Sequence, residues 1–461
     1  MHPPSFFLLG LATAFAPLST AHTVLTTLFI NDASQGDGTC IRMPKDGSTC
    51  TYPIAGLNNP DMACGKDGQN PVAFTCPIPA GGKLSFEFRS YGDQPPPKQP
   101  AIDASHKGST AIYLKSVGKN SILDSPAAGQ GWFKIFDDGY DKVSGLWATD
   151  KLNSNNGHLS ITLPTGLPIG YYLVRTEIMT LQNVTNHVVA PQFFVNCAQL
   201  FISSSTASDL SIPSANKASI PGHVSASDPG LTFNVYETPY KSDFVIPGPA
   251  TFFPASPPTT KSNTLTSAKE PTGAVPKTCL LKNANWCGVQ TPAYSNSEDA
   301  CWASAQNCWD QGKACFDSAP PSGYSGCKKW NDEKCQAQHD ACASKDFNGP
   351  PSMGTNWGGD VSTLRKVDLP PVANANAGAG ASAGKPTEEG NNGGGGEETP
   401  SAFPSTPPQA VSSAAPAPTQ PVGQKEGEEP MAPVSSLAPA PTAGSSCGGH
   451  RRRRRIVTVY V

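Results

Sequence analysis

The sequence predicts an all-β fold: an immunoglobulin/fibronectin-like antiparallel β-sandwich with long loops, joined to a small disulfide-rich helical module and a disordered tail. Three observations carry this. Between residues 22 and 253, short segments of β-forming residues are separated by clusters of Gly, Pro, Asn and Asp, the pattern of a sandwich. Residues 279–342 then hold eight of the 14 cysteines. Beyond residue 347 the chain consists largely of glycine runs and Pro-Ala repeats.

Residues 1–21 read as a signal peptide. Phe6 to Ala16 is a short apolar run, and Ser19-Thr20-Ala21 supplies the small residues that precede cleavage. The run is too short to span a bilayer, although Met1 to Ser5 lacks the usual Lys or Arg. Cleavage after Ala21 would make His22 the first residue. Its α-amine and imidazole would then chelate one metal ion, and a second histidine elsewhere would complete a planar three-nitrogen set suited to copper.

Within 22–253 the candidate strands are Val24 to Ile30, Leu84 to Phe88, Ala111 to Leu114, Trp132 to Phe136, Leu159 to Leu163, Tyr171 to Met179 and Phe193 to Ile202. About 230 residues is large for a plain sandwich, so long loops should carry the site. Residues 254–278 are rich in Pro, Ser and Thr and read as a linker.

In the module, taken as residues 279–346, Cys301, Cys308 and Cys315 are seven apart, along one stripe of a helix. Cys335 and Cys342 repeat the spacing, which predicts a helical hairpin stapled by up to four disulfides. No C-x₂-C knuckle supports zinc. Trp286, Trp302, Trp309 and Trp330 lie among these cysteines, and in so small a module they read as core in preference to a sugar-stacking face.

The tail, residues 347–461, cannot bury enough surface to offset its chain entropy. It ends in Arg451–Arg455 followed by six largely apolar residues, a solvated basic end too short in its apolar part for a lipid-anchor signal.

Net charge is −3, which gives no reason to expect nucleic acid as a partner. The cysteine content of a secreted chain reads as disulfides, and Asn183-Val184-Thr185 is a glycosylation sequon. No later apolar stretch is long enough to cross a membrane. The expectation is a secreted, extracellular monomer, with cell-wall association suggested by its basic end. A hydrolase would need two placed carboxylates. Asp137-Asp138 and Asp150 are available, but adjacent aspartates on a turn face different ways.

A set of motifs in order adds a family resemblance. His22-Thr23-Val24-Leu25, Ser105-His106-Lys107-Gly108-Ser109, Gly131-Trp132-Phe133-Lys134-Ile135-Phe136, Trp147-Ala148-Thr149-Asp150, Gly170 to Ile178, and Gln192 to Leu200 resemble the fungal lytic polysaccharide monooxygenases of auxiliary activity family nine, formerly glycoside hydrolase family sixty-one. Ala226 to Gly230 and Pro247-Gly248-Pro249 extend the likeness to about half the chain.

The resemblance implies one copper ion held by the α-amine and ring of His22 with the ring of His106. It implies an external reductant, O2 or H2O2 as co-substrate, and attack at C1 or C4 of cellulose or a related β-glucan. Gln192 matches the glutamine that flanks the metal. Cys64 and Cys197 match a disulfide usual in the family. Cys40 is expected with Cys50 or Cys76, the third being unassigned.

Two positions depart from the family pattern. Phe194 stands where the axial tyrosine is expected, and Gln182 where a histidine beside the metal is expected. His187 lies nearby but is displaced within its loop. A Gln amide donates a hydrogen bond but does not titrate near neutral pH, so the departures bear on turnover more than on copper binding. They motivate the alternative of a non-catalytic or weakly active member that binds copper or wall polysaccharide. A glycan on Asn183 would crowd the site. Tyr236 and Tyr240 are loop aromatics, to be presented to cellulose or packed into the loop.

Overall fold

The computed structural model describes residues 22–94, 100–119, 122, 126–255, 265–266, 270–351, 353–355, 357 and 367–373. The expected signal peptide, part of the linker, most of the tail and the arginine run lie outside them.

Two packed sheets form the larger lobe. The first has four strands: β1 (Val24–Ile30), β2 (Ala33–Ser34), β5 (Lys83–Arg89) and β8 (His158–Thr162), in the order β8-β5-β1-β2. The second has β3 (Ile41–Arg42), β4 (Cys76–Ile78), β6 (Gly108–Gly118), β7 (Gly129–Asp138), β9 (Gly170–Thr180), β10 (Gln192–Ile202) and β11 (Lys217–Ile220). Its order is β11-β7-β6-β9-β10-β3, with β4 running parallel to β10. All seven expected strands are present. The short β11 and the helix α1 (Ala148–Ser154) carried no clear periodic signal.

Successive side chains point to opposite faces of a strand. On β10, Phe194 and Leu200 enter the core between the sheets, while Phe193, Val195 and Phe201 enter a second apolar layer under the loops. The second sheet is therefore covered on both sides. This is why β9 and β10 read as near-continuous apolar runs, and why the lobe needs so many loop residues.

The smaller lobe starts with a hairpin of Leu281–Asn283 and Trp286–Gly288. Helix α2 (Glu298–Ser318) follows, capped by the Ser297 hydroxyl, which accepts from the Ala300 N–H. The chain returns through α3 (Ser325–Lys329), a π-helical turn (Trp330–Cys335) and α4 (Gln336–Ala343). Cys301, Cys308 and Cys315 of α2 pair with Cys342, Cys335 and Cys327, and Cys279–Cys287 closes the hairpin. The spacing of seven on α2 is met by seven and then eight residues on the returning side, so the three pairs follow one another along the helix.

The lobes are docked through the turn at Ala284-Asn285. The Asn285 amide donates to the Gly38 carbonyl at 2.8 Å, and its oxygen accepts from the Cys40 N–H at 3.0 Å. Lys282 Nζ donates to the Gln35 carbonyl. A Cβ on Gly38 would lie 2.8 Å from Ala284 Cβ and 2.9 Å from Pro320 Cγ, so glycine is required for the approach. Within the stretch expected to be disordered, the Ala373 N–H donates to the Ser160 carbonyl on edge strand β8.

Candidate functional site

The strand ends at one edge of the sandwich gather the expected residues. Thr23 N–H donates to the Thr51 carbonyl at 3.2 Å, which sets residues 22 and 52 side by side. The His22 ring consequently stacks on Tyr52, with centroids 4.4 Å apart and planes 28° from parallel. Leu25 N–H donates to Asn196 Oδ1 at 3.0 Å, tying the start of β1 to β10.

His106 is held by a tight loop before β6. Its N–H donates to the Asp103 carbonyl, while Asp103 Oδ1 accepts from the Ser105 N–H at 2.8 Å. Lys107 reaches Asp150 at 2.5 Å, and its carbonyl accepts from the Leu181 N–H. Gly108 completes the approach, since a Cβ there would lie 1.8 Å from the Met179 carbonyl oxygen. The His106 side chain is buried and its Nδ1 faces Ser105 Oγ at 3.1 Å, which leaves Nε2 free of that contact. Burial lowers its pKa to about 4, Asp103 opposing and His22 adding to the effect. His106 is therefore a neutral imidazole at neutral pH, the form that binds metals.

Gln192, the first residue of β10, accepts from Gln182 Nε2 at 2.5 Å. The Gln182 carbonyl in turn accepts from the Tyr236 hydroxyl at 3.0 Å. Gln182 Oε1 is buried without a hydrogen-bond partner among the described residues. Phe194, two residues along from Gln192 and so on the same face, is buried at the core edge.

His187 does not replace the missing histidine. It is exposed at the turn of a small hairpin, Val184–Thr185 with Val188–Val189, with φ of 65°. Asn183 is exposed at the base of that hairpin. Tyr236 is 61% exposed, whereas Tyr240 packs among Tyr140, Trp147 and Phe233.

The disulfide Cys64–Cys197 joins the loop before β4 to β10. Cys40 pairs with Cys76, and Cys50 is also disulfide-bonded. Asp137, Asp138 and Asp150 each pair with a different lysine, Lys134, Lys151 and Lys107. Among the described residues no three His, Cys, Asp or Glu side chains form a metal cluster, but a brace made from two imidazoles and a terminal amine is not such a cluster.

Tyr52, Asn196 and the Lys107–Asp150 pair were not singled out for the site from sequence. Tyr52 had no local signal, because its role comes from a pairing between residues 23 and 51.

The profile of Auxiliary Activity family 9 (formerly GH61) matches residues 22–244. An AA9 family lytic polysaccharide monooxygenase C of Aspergillus tamarii is 42% identical over 345 residues, covering 74% of this chain and 90% of that protein. An AA9 family lytic polysaccharide monooxygenase H of Botryotinia fuckeliana is 41% identical over 357 residues, covering 75% and 79%. Among solved structures, CvAA9A is 31% identical, with a TM-score of 0.44 over 51% of this chain and 99% of that one. With nine-tenths of the Aspergillus tamarii relative matched at that identity, the chain belongs to Auxiliary Activity family 9.

Proposed function

We propose that this chain is a secreted, copper-dependent lytic polysaccharide monooxygenase that cleaves cellulose or a related β-1,4-glucan oxidatively at C1, C4 or both. The observation that carries the reading is the neighbouring pair of imidazoles, His22 and His106. Burial lowers the His106 pKa, and the charge of His22 lowers it further, as a nearby like charge does.

The donor set fits copper. Removal of residues 1–21 adds the His22 α-amine to the imidazoles of His22 and His106, and an all-nitrogen tetragonal set suits Cu(II). Bound there, copper would supply the redox chemistry that activates O2 or H2O2 with electrons from an external reductant. The protein's own part is to hold the ligands. Tyr52 fixes the plane of His22 and Ser105 and the Asp103 loop fix His106, and the amides of Gln192 and Gln182 would flank a metal held there. Phe194 shields one side with an apolar ring. Tyr52 and Tyr236 stand exposed beside these groups, as a surface acting on an insoluble polymer requires.

The working boundaries are residues 22–253 for the catalytic domain, 254–278 for the linker and 279–346 for the cysteine-rich module, in a monomer. A glycan on Asn183 would sit next to Gln182.

The test is mass spectrometry of soluble products from amorphous cellulose, using copper-loaded mature protein, a reductant and a His22→Ala control. Oxidised oligosaccharides absent from the control are expected. Stoichiometric copper binding without oxidised products would favour a second reading, a copper- or wall-polysaccharide-binding member with little turnover. Gln182 and Phe194 motivate that reading. Gain of activity from nothing in the Gln182→His, Phe194→Tyr double variant would establish it.

A further inference from the structure

The sequence of α2 contains a threefold repeat of a cysteine followed by an aromatic: Cys301-Trp302, Cys308-Trp309 and Cys315-Phe316. The cysteines point inward to their disulfides and are fully buried. The aromatics, one position on, are turned about 100° away from them.

Trp302, Gln306, Trp309, Lys313 and Phe316 occur at i, i+4, i+7, i+11 and i+14, so they lie along one side of the helix. Trp302 is 37% exposed and Phe316 36%, and Trp309 between them is half-buried against the small core around Trp330. The expectation that the tryptophans of this module are core therefore holds for Trp330 but not for Trp302. Burial of the cysteine stripe leaves Trp302 and Phe316 partly outside, the first edge-on to His339 and the second tilted against Tyr324, with Trp309 between them partly in the core.

We propose that this stripe is a second carbohydrate-binding surface, which takes a single extended β-1,4-glucan chain along the axis of α2. Seven residues at 1.5 Å per residue separate successive aromatics by about 10.5 Å, close to the length of two sugar units in such a chain. Each ring meets every second sugar by its apolar face, while Gln306 and Lys313 between the rings face its hydroxyl groups.

Charge also selects an uncharged polymer. Lys313 is paired with Asp317, and the Gln306 amide donates to Asp310. The stripe thus presents no unpaired cation for a phosphate or an acidic polysaccharide. The choice of β-1,4-glucan over another neutral polymer rests on the function proposed above, but the stripe is independent of the His22 and His106 site.

The test measures retention of the full chain on microcrystalline cellulose, with chitin and β-1,3-glucan as comparators. Wild type should be retained on cellulose. Trp302→Ala/Phe316→Ala should lose on the order of tenfold in partition constant, with unchanged thermal unfolding and unchanged copper stoichiometry. Trp302→Tyr/Phe316→Tyr, which keeps both rings, should be retained like wild type. Equal retention of the alanine variant, no retention of wild type, or preference for chitin or β-1,3-glucan would each overturn the proposal. Loss of oxidised products with retention intact would count against the catalytic reading alone.

Discussion

Glu177 allows the energetics of the large sheet to be tested by pH. It lies on β9 between β6 and β10, and its carboxylate is buried beneath the loop that carries His223. Arg175 Nη2 donates to it at 2.6 Å and His223 Nε2 at 3.0 Å. Burial by itself would raise the Glu177 pKa, but Arg175 and His223 outweigh it and hold the carboxyl at about 2, against an ordinary 4.5. A folded-state pKa below the unfolded value means stability that is complete above the unfolded pKa and lost as pH falls through the folded one. The window therefore runs from about pH 5 to about pH 2, and a depression of this size corresponds to about 3 kcal/mol.

His223 acts in the same direction. Burial lowers its pKa despite the hydrogen bond and charge of Glu177, so the folded state disfavours its protonation and acid again destabilises. Glu177→Gln keeps an acceptor for both donors but removes the charge. It leaves the Arg175 guanidinium buried and unpaired, at a cost of about 3 kcal/mol or more at pH 7. Urea unfolding of wild type and variant in chelator, from pH 7 to pH 2.5, measures both effects. The curves should converge by about 3 kcal/mol as pH falls from 5, because wild type loses what the variant never had. Parallel curves would refute the assignment of this acid sensitivity to Glu177.

Asn285→Ala should lower the stability of lobe docking by about 2 kcal/mol, since its amide serves Gly38 and Cys40; calorimetry should show the single transition splitting or broadening. Cys64→Ala/Cys197→Ala opens a link between residues 133 apart and should cost about 4 kcal/mol in denaturant unfolding. Tyr52→Ala removes the ring beneath His22 and should weaken Cu(II) binding by up to about tenfold. Its Cu(II) paramagnetic resonance spectrum should shift, while Tyr52→Phe, which keeps the stack, should match wild type in both measurements.

Strands with one or two apolar faces announce themselves by period, and β1, β5, β9 and β10 are legible for that reason. The stapled helical hairpin of the module is legible too, because Cys301, Cys308 and Cys315 and then Cys335 and Cys342 are seven apart, although their pairing is not. Residues whose roles arise from distant backbone pairings are not. Tyr52 meets His22 only because Thr23 pairs with Thr51, and Asn285 plugs a turn some 245 residues away in sequence. Gly38 carries no motif, yet the docking geometry excludes any side chain there. The cysteine stripe and the aromatic stripe of α2 share one spacing, and the choice of which faces in was made by the disulfides.

The departures from the family pattern have a common physical character. The supports of the two imidazoles are intact: Ser105 at His106, Gly108 at β9 and Lys107 on Asp150. The two exchanged positions flank the ligands instead. The amides of Gln182 and Gln192 share one hydrogen bond. Whichever of them donates, the pair leaves three N–H donors and one oxygen outside that bond, none of which titrates near neutral pH. Phe194 adds a ring with no oxygen. On the function proposed above, metal capture would depend on side chains present here, whereas proton delivery would fall to solvent or substrate. Copper affinity near that expected of an intact brace, combined with slow turnover that Gln182→His accelerates, is the outcome this division of labour requires.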